Sequence, residues 1–244
     1  MKAYALTHVG NVRPINEDAY YLPRPGETFA AVADGMGGHL AGEVASALAI
    51  KVFSETLRGT AKPDESRMHE AVARANLAIY EEALNDPAHK LGMGTTLTAV
   101  WFAADYMLMS HVGDSRAYLL RNRALMQLSN DHSLVNEMVE KGEITPQQAL
   151  THPQRNYITR ALGTQATVQP DILRLDYLPG DVWLLCTDGL SNYVRNLEIA
   201  EILLREDSWQ EKLRALIDKA LSRGGGDNIT AVAVTGEEDG LNVG

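Results

Sequence analysis

Four aspartates in this sequence share one setting, beside short runs of apolar residues that are typical of β-strands. They are Asp34, Asp114, Asp188 and Asp227. Strands that end at one edge of a sheet bring such carboxylates together, and crowded, partly buried carboxylates repel one another unless cations neutralise them. The four have no His or Cys partners, and oxygen ligands of this kind suit Mg²⁺ or Mn²⁺ rather than zinc.

Asp34 stands in the most informative stretch, Phe29-Ala-Ala-Val-Ala-Asp-Gly-Met-Gly-Gly-His39. We expect a buried strand that ends at Asp34, followed by a glycine-rich turn and then a helix. The glycine next to Asp34 would let a main-chain carbonyl join a ligand set. An ordinary Asp-Gly turn, in which Asp bonds its own backbone, is the alternative for each aspartate taken alone.

The apolar periodicity predicts the elements that position these residues. We expect strands at 2–7, 19–22, 29–34, 97–102, 106–112, 117–121, 124–128, 168–175, 181–186 and 229–234. We expect helices at 42–57, 68–83, 131–142, 145–150, 198–205 and 209–221. Strands and helices cluster rather than alternate, which favours an α+β fold with antiparallel sheets over a doubly wound one.

The chain of 244 residues shows no repeat or linker, so we expect a single domain over residues 1–236. The polar segment 131–162 interrupts the strand pattern and is expected to be a mobile appendage. Residues 237–244 are expected to be a disordered tail.

Composition and charge exclude several classes of function. The net charge of −10 disfavours a nucleic-acid binder, which needs a basic surface. No signal sequence is visible, and the longest uncharged run is too short to span a bilayer, so we expect no membrane insertion and a cytoplasmic location. The only cysteine, Cys186, lies in an apolar strand pattern, which predicts a buried, inert thiol.

Six motifs occur in an order that resembles the metal-dependent Ser/Thr protein phosphatases of type 2C, especially the short bacterial catalytic domains. The motifs are Arg13-Pro-Ile-Asn-Glu-Asp18, Asp34-Gly-Met-Gly-Gly-His39, Gly92-Met-Gly-Thr-Thr96, Gly113-Asp-Ser-Arg116, Thr187-Asp-Gly-Leu190 and Gly225-Gly-Asp-Asn228. The resemblance implies a central β-sandwich of two antiparallel sheets flanked by pairs of helices, in α-β-β-α layers. It also implies two tightly bound Mn²⁺ or Mg²⁺ ions, with a third held more weakly, and identifies segment 131–162 as the flap.

The resemblance further implies a role for each matching residue. Asp34 would bridge two metals, Asp188 and Asp227 would complete one site, and the Gly35 carbonyl would serve the other. Asp114 and Asp188 would hold the third ion. The remaining implied residues are Glu17 and Asp18, which would orient metal-bound waters, Asn228, which would steady Asp227, and Arg13, which would bind the substrate phosphate. A surface salt bridge is the alternative for Arg13.

One position departs from the family pattern. Eukaryotic members carry a histidine two residues after the bridging aspartate, proposed to protonate the leaving group, and Met36 stands there. His39 lies nearby in sequence, and it could replace that histidine, cap the following helix or have no role. The leaving group could instead take its proton from metal-bound water.

These implications predict hydrolysis of phosphoserine and phosphothreonine by direct attack of a metal-bridging water or hydroxide, without a phosphoenzyme. The expected partners are phosphoproteins, including a bacterial Ser/Thr kinase that the enzyme opposes, and we expect a monomer. Two other functions stay open, a catalytically silent phosphoprotein-binding module and a hydrolase of small phosphate esters. No Gly-x-x-x-x-Gly-Lys phosphate loop supports a nucleotide substrate.

Overall fold

Eleven strands form two antiparallel sheets in the computed structural model, which describes residues 1–37, 41–60, 62–90 and 92–236. The strands are β1 (Lys2–His8), β2 (Asp18–Tyr21), β3 (Phe29–Met36), β4 (Gly94–Thr95), β5 (Leu97–Phe102), β6 (Tyr106–Val112), β7 (Arg116–Arg121), β8 (Ala124–Gln127), β9 (Asp171–Asp176), β10 (Val182–Cys186) and β11 (Ile229–Thr235). One sheet has the order β1-β11-β10-β7-β8. The other has the order β2-β3-β5-β6-β9, with β4 paired to β3.

The described residues form eight helices, of which two groups cover the outer faces of the sheets and two short ones lie in segment 131–162. They are α1 (Ala41–Leu57), α2 (Glu65–Asn85), α3 (Pro87–Lys90), α4 (Leu134–Glu140), α5 (Pro146–Ala149), α6 (Asp188–Ser191), α7 (Asn196–Leu203) and α8 (Trp209–Ser222). Helices α1 and α2 cover the sheet that contains β3, whereas α6, α7 and α8 cover the sheet that contains β11. The predicted α+β sandwich with helical outer layers is therefore confirmed.

Side-chain alternation along the strands produces the layers. In β3, Ala31 and Ala33 pack under the helices, and Ala30 and Val32 face the opposite sheet. Strand β10 follows the same rule, since Leu184 contacts the helices and Leu185 lies between the sheets. Because both faces of each sheet are covered, the central strands are continuous apolar runs, as the sequence shows.

The predicted elements are confirmed in type and order, with shifted ends. Strand β3 continues past Asp34 to Met36, since Gly35 and Met36 pair with Thr95 and Gly94 of β4. The prediction that the strand ends at Asp34 was therefore wrong by two residues. The partner strand lies about 60 residues away, and no local pattern predicts that pairing.

Cys186 is fully buried in β10, and burial raises the pKa of its thiol to about 12. The predicted burial of this thiol is confirmed, and a raised pKa favours its protonated, unreactive form at neutral pH. No described helix is both long and apolar enough to cross a bilayer. The predicted tail, 237–244, lies outside the described residues.

The flap, residues 131–162, holds α4 and α5 and carries mostly exposed or half-buried side chains. Thr145 caps α5 with a capping box to Gln148, as the Thr145-Pro146 pattern predicts. Both ends of the flap are tied down, since Ser133 forms a bridge with Ile158 and Leu162 forms one with Thr95. The flap is thus a loop with two short helices that leaves and rejoins the sandwich near β4.

Candidate metal centre

The four aspartates converge at one end of the sandwich, around a cavity of about 220 Å³. Its wall contains Asp34, Asp114, Asp188, Asp227, Arg13, Glu17 and Gly35, together with Met36, Gly37, Asn156 and Ile158. The strand directions explain this convergence. The end of β3, the start of α6 after β10, the turn before β11 and the turn between β6 and β7 all lie at this end.

Hydrogen bonds from two threonines fix the main chain of Asp34. Its N–H donates to Thr96 Oγ1 at 2.9 Å, and its carbonyl accepts from the Thr95 hydroxyl at 2.8 Å and the Thr96 N–H at 2.9 Å. Asp18 lies directly opposite Asp34 in the β2–β3 register. The carboxylate of Asp34 is therefore placed by strands on both sides.

Gly35 is required by close packing of α1 on β3. A Cβ atom at Gly35 would lie 2.0 Å from the Gly42 carbonyl oxygen and 2.6 Å from the Glu17 carbonyl oxygen. A Cβ atom at Gly42 would lie 2.4 Å from Glu17 Oε1. The two glycines therefore let the N-terminal turn of α1 approach the acidic cluster.

Asp188 and Asp227 are held near each other by the contact of α6 with the turn before β11. A Cβ atom at Gly189 would lie 1.9 Å from the Asn228 carbonyl oxygen, so only glycine allows this approach. Asp188 Oδ2 accepts from the Asn192 side chain at 3.0 Å. Asp227 Oδ1 accepts from the Asn228 main-chain N–H at 2.9 Å.

Arg13 forms an ion pair with Asp227, with 2.8 Å between Arg13 Nη2 and Asp227 Oδ2. A salt bridge was the alternative to a phosphate-binding role, and it is present. Its partner, however, belongs to the acidic cluster, and 46% of the Arg13 side chain is exposed. The ion pair therefore places the guanidinium at the cavity and does not exclude contact with a phosphate.

Of the predicted supporting residues, Glu17 lies in the cavity wall, while Asp18 and Asn228 lie next to Asp34 and Asp227. Asp18 Oδ2 accepts from the hydroxyls of Thr187 at 2.9 Å and Thr230 at 2.7 Å. The Asn228 side chain accepts from the Glu17 N–H at 2.7 Å. It also donates to two main-chain carbonyls of the loop that precedes Glu17. Asn228 thus contacts Asp227 through its main chain, while its side chain fixes the loop that carries Arg13 and Glu17.

Burial and mutual repulsion make these carboxyls hard to ionise without a cation. Burial is the main cause in each case, with neighbouring carboxylates adding to it. The pKa of Asp18 is raised to about 7 and that of Asp188 to about 6, and the pKa values of Asp34 and Asp114 are raised well above the ordinary range. The Asp34 and Asp188 side chains lie close enough to share a hydrogen bond.

Several carboxylate oxygens of this cluster are buried without a hydrogen-bond partner among the described residues. They are Glu17 Oε1, Asp18 Oδ1, Asp114 Oδ1 and Asp188 Oδ1. Most buried polar atoms in proteins are hydrogen-bonded, so such a concentration calls for an explanation. Oxygen atoms with free lone pairs around one cavity are what a hard divalent cation requires.

The spacing of the side chains also bears on the kind of ion. Over the described ranges, no three His, Cys, Asp or Glu side chains are already gathered as ligands of one ion. Mg²⁺ keeps several waters and is usually held by only one or two carboxylates, and Mn²⁺ shares its preference for oxygen ligands. The residues present fit such an ion.

His39 falls on residues 38–40, which lie outside the described ranges, so its role in protonating the leaving group stays a prediction. Asn156 and Ile158 of the flap line the cavity but were not predicted, because nothing in their local sequence marks them. A larger cleft of about 560 Å³ lies at the opposite end of the strands, beside Phe102, Tyr177 and Trp183. It lacks the aspartates of the cluster.

Comparison with known sequences decides the family. The pattern described as "Protein phosphatase 2C" matches residues 11–225. The chain belongs to this family. This phosphatase 2C sequence is 39% identical over 243 residues to the Serine/threonine phosphatase stp of Listeria monocytogenes serotype 4b (strain F2365), covering 96% of the chain and 95% of the relative.

Solved structures agree with the assignment to the phosphatase 2C family. The crystal structure of the Mycobacterium tuberculosis serine/threonine phosphatase PstP/Ppp matches with a TM-score of 0.90 and 40% identity, covering 97% of this chain and 99% of that one. A crystal structure of the catalytic domain of PstP in complex with two manganese ions matches with a TM-score of 0.85 and 38% identity. The match covers 95% of this chain and 96% of that one. The manganese ions belong to that structure.

The buried carboxyls predict an unusual pH dependence of stability in the metal-free phosphatase 2C domain. Because the pKa values of Asp18 and Asp188 are raised above 3.8, the folded protein binds more protons than the unfolded chain between about pH 4 and pH 7. Stability in EDTA should therefore fall as the pH rises through this window. Asp188→Asn should raise the melting temperature in EDTA at pH 7.5 by a few degrees and abolish most of the stabilisation by Mn²⁺.

Thermal unfolding with EDTA and with MnCl₂ measures both effects. Asp218→Asn, on the exposed face of α8, is the matched control and should behave as the wild type. An Asp188→Asn protein that is less stable in EDTA, yet is stabilised by Mn²⁺ as strongly as the wild type, would contradict this account.

Proposed function

We propose that this protein removes phosphate from phosphoserine and phosphothreonine side chains of other proteins in a metal-dependent reaction. The observation that carries the proposal is the convergence of four aspartates and Arg13 on one cavity, with carboxylate oxygens left unpartnered. Membership of the phosphatase 2C family supports the reaction class. The similarity to bacterial serine/threonine phosphatases over nearly the whole chain supports the substrate.

Two divalent ions, Mn²⁺ or Mg²⁺, would be held by Asp34, Asp188, Asp227 and the Gly35 carbonyl, with Asp34 a ligand for both. Asp114 and Asp188 would hold a third ion more weakly. The raised pKa values support this assignment, because cations would replace the protons that these carboxyls otherwise retain. When bound, the ions supply positive charge for the phosphate and activate water for attack on phosphorus.

Side chains of this protein orient the phosphate and the water. Arg13 has five N–H donors, and one of them is given to Asp227, so the guanidinium fork keeps donors for phosphate oxygens. Glu17 lies in the cavity wall and Asp18 lies opposite Asp34 on the neighbouring strand, and each has one oxygen without a partner among the described residues that can accept a hydrogen bond from water. Asn228 fixes the loop that carries Arg13. No nucleophilic side chain is needed, and the Cys186 thiol is buried and protonated.

A groove beside the cavity favours a protein substrate over a small phosphate ester. The groove has a volume of about 300 Å³ and shares Asp114 and Asp188 with the metal centre. The flap lines it with polar side chains, among them Asn136 and Arg155, and with an apolar set, Val135, Val139, Pro146, Ala149 and Leu150. Leu150 is 67% exposed. A small ester needs no such surface, whereas a peptide can bury apolar side chains there.

The proposal also covers the domain, the oligomeric state, the location and the partner of this protein. Residues 1–236 act as one catalytic domain, which works as a monomer in the cytoplasm and opposes a bacterial Ser/Thr kinase. The absence of any heptad pattern supports the monomer. The bacterial serine/threonine phosphatases among the relatives support the kinase as a partner. The alternative of a catalytically silent binding module would not require all four aspartates together with Arg13.

Removal of one carboxylate tests the reaction. Asp227→Ala should lower Mn²⁺-dependent hydrolysis of a phosphothreonine peptide by at least about a hundredfold, because a metal ligand and the partner of Arg13 are lost together. Circular dichroism should show an intact fold, and Asp218→Asn should retain full activity. Near-wild-type turnover by Asp227→Ala would refute the assignment, and an inactive wild type would favour the binding module.

A substitution in the groove should impair hydrolysis of phosphopeptides without affecting hydrolysis of small phosphate esters. Leu150→Asp should raise KM about tenfold for phosphothreonine peptides with a leucine near the phosphate, because one Leu contact is worth roughly 1.5–3 kcal/mol when fully buried. It should leave hydrolysis of p-nitrophenyl phosphate within twofold of the wild type. Leu197→Asp is the matched control, since Leu197 is 80% exposed on α7, away from the groove.

A set of peptides with the leucine moved one position at a time shows where the groove acts. Equal effects of the two leucine variants would count against the groove. Preference of the wild type for p-nitrophenyl phosphate and nucleotides over every peptide would favour the small-ester alternative.

A further inference from the structure

The first two residues of the flap are held by the residues on either side of Asp114. Asp131 accepts from Arg116 Nε at 3.0 Å and from Arg116 Nη2 at 2.7 Å, in a bidentate ion pair. His132 is bonded to Gly113 through both its main chain and its ring. The start of the flap is therefore tied to the same turn that presents Asp114 to the cavity.

The contact between His132 and Gly113 is reciprocal. The His132 N–H donates to the Gly113 carbonyl at 2.8 Å, and the Gly113 N–H donates to His132 Nδ1 at 3.0 Å. Gly113 has a φ of +109°, and a Cβ atom there would lie 2.5 Å from Thr96 Cγ2. The Gly113 backbone thus adopts a conformation that few other residues allow, and His132 satisfies both of its polar groups.

The other ring nitrogen points to a second anchor. Since Nδ1 accepts from Gly113, the neutral ring carries its proton on Nε2, which lies 3.1 Å from Asp171 Oδ2 and can donate to it. Arg160 Nη1 lies 3.0 Å from the same Nε2, and because both atoms are then donors, this approach is not a hydrogen bond. Asp171 Oδ1 also accepts from Arg160 Nη1 at 2.7 Å. The ring of His111 packs on His132 with 4.8 Å between centroids, and its Nε2 lies 3.1 Å from the Asn130 carbonyl.

His132 also holds the far end of the flap. Its carbonyl accepts from the Thr159 N–H at 2.8 Å. Two residues further along, the Leu134 N–H donates to the Tyr157 carbonyl at 2.9 Å. One residue therefore connects three parts of the chain, namely both ends of the flap and the Gly113-Asp114 turn. His132 is 7% exposed and is not part of the cavity wall, so it cannot touch the substrate.

We propose that His132 is a positioning residue that couples the flap to Asp114, so that the flap and this carboxylate keep one relative orientation. The inference rests on the proposed function, in which Asp114 belongs to the metal centre and the flap forms one wall of the substrate groove. Loss of the hydrogen bond between the Gly113 N–H and His132 Nδ1 allows both the flap and Asp114 to move. Turnover falls because Asp114 is displaced, and KM for a phosphopeptide rises because the flap wall moves.

Two substitutions separate this role from simple packing. His132→Asn keeps an acceptor, since the amide Oδ1 occupies the position of Nδ1 and can receive the Gly113 N–H. His132→Leu keeps apolar volume but leaves the Gly113 N–H without a partner. His152→Leu is the matched control within the flap, because the His152 ring accepts a local bond from the Gln154 N–H, two positions along the chain.

Hydrogen–deuterium exchange of the metal-free wild type and variants gives a readout that does not depend on activity. We expect His132→Leu to speed exchange of flap peptides about tenfold, with exchange in β5 and β11 unchanged, because a buried donor without a partner destabilises the folded flap. His132→Asn and His152→Leu should stay near the wild type. With Mn²⁺, only His132→Leu should combine a lower kcat with a higher KM for a phosphothreonine peptide.

Each other result overturns the inference. Equal flap exchange in His132→Asn and His132→Leu would show that His132 acts through packing alone. A normal kcat in His132→Leu, with fast flap exchange, would show that the flap is not coupled to Asp114. An inactive wild type would refute the proposed function, while the exchange result would still decide whether His132 anchors the flap.

Discussion

The repulsion between buried carboxylates at one end of the sandwich is the constraint on which the rest of this structure depends. Asp18, Asp34, Asp114 and Asp188 lie where burial disfavours their charged forms. Asp188 also raises the pKa of the other three, and Asp18 and Asp114 raise the pKa of Asp34. Such a cluster lowers the stability of the folded state when it is ionised and uncompensated. It is therefore explained better by a bound cation than by folding.

The fold holds the cluster together with main-chain contacts rather than with opposing charges. Gly35, Gly42 and Gly189 allow backbone segments to approach at distances that any Cβ atom would prevent. Thr95 and Thr96 fix the main chain of Asp34. Arg13, the only cation that the described residues place in the cavity wall, is half exposed and is paired with Asp227. One arginine cannot balance the four aspartates once they are ionised, and the resulting negative charge favours binding of divalent ions.

Much of this arrangement could be predicted from the sequence, because the signals are local. Each of the four aspartates follows an apolar run or a glycine turn, so its place at a strand end could be predicted without knowing the partner strands. The α+β class followed from the clustering of strands and helices. The inert Cys186 followed from its apolar neighbours, and Thr145 with Pro146 marked the start of α5.

Contacts between distant parts of the chain could not be predicted in this way. Arg13 and Asp227 are 214 positions apart, and nothing near either residue indicates that they form an ion pair. The extension of β3 to Met36 depends on pairing with β4. His132 is unremarkable in its own segment, and only the folded chain shows it beside Gly113. Such pairings are set by the packing of the two sheets, which local periodicity does not contain.

The most direct test of the central claim is anomalous scattering from crystals soaked in Mn²⁺. We predict two strong peaks in the cavity between residues 34, 188 and 227, with carboxylate oxygens of all three as ligands, and a weaker third peak near Asp114. Crystals that diffract well, yet show no peak in that cavity or show manganese only at surface carboxylates, would contradict the account.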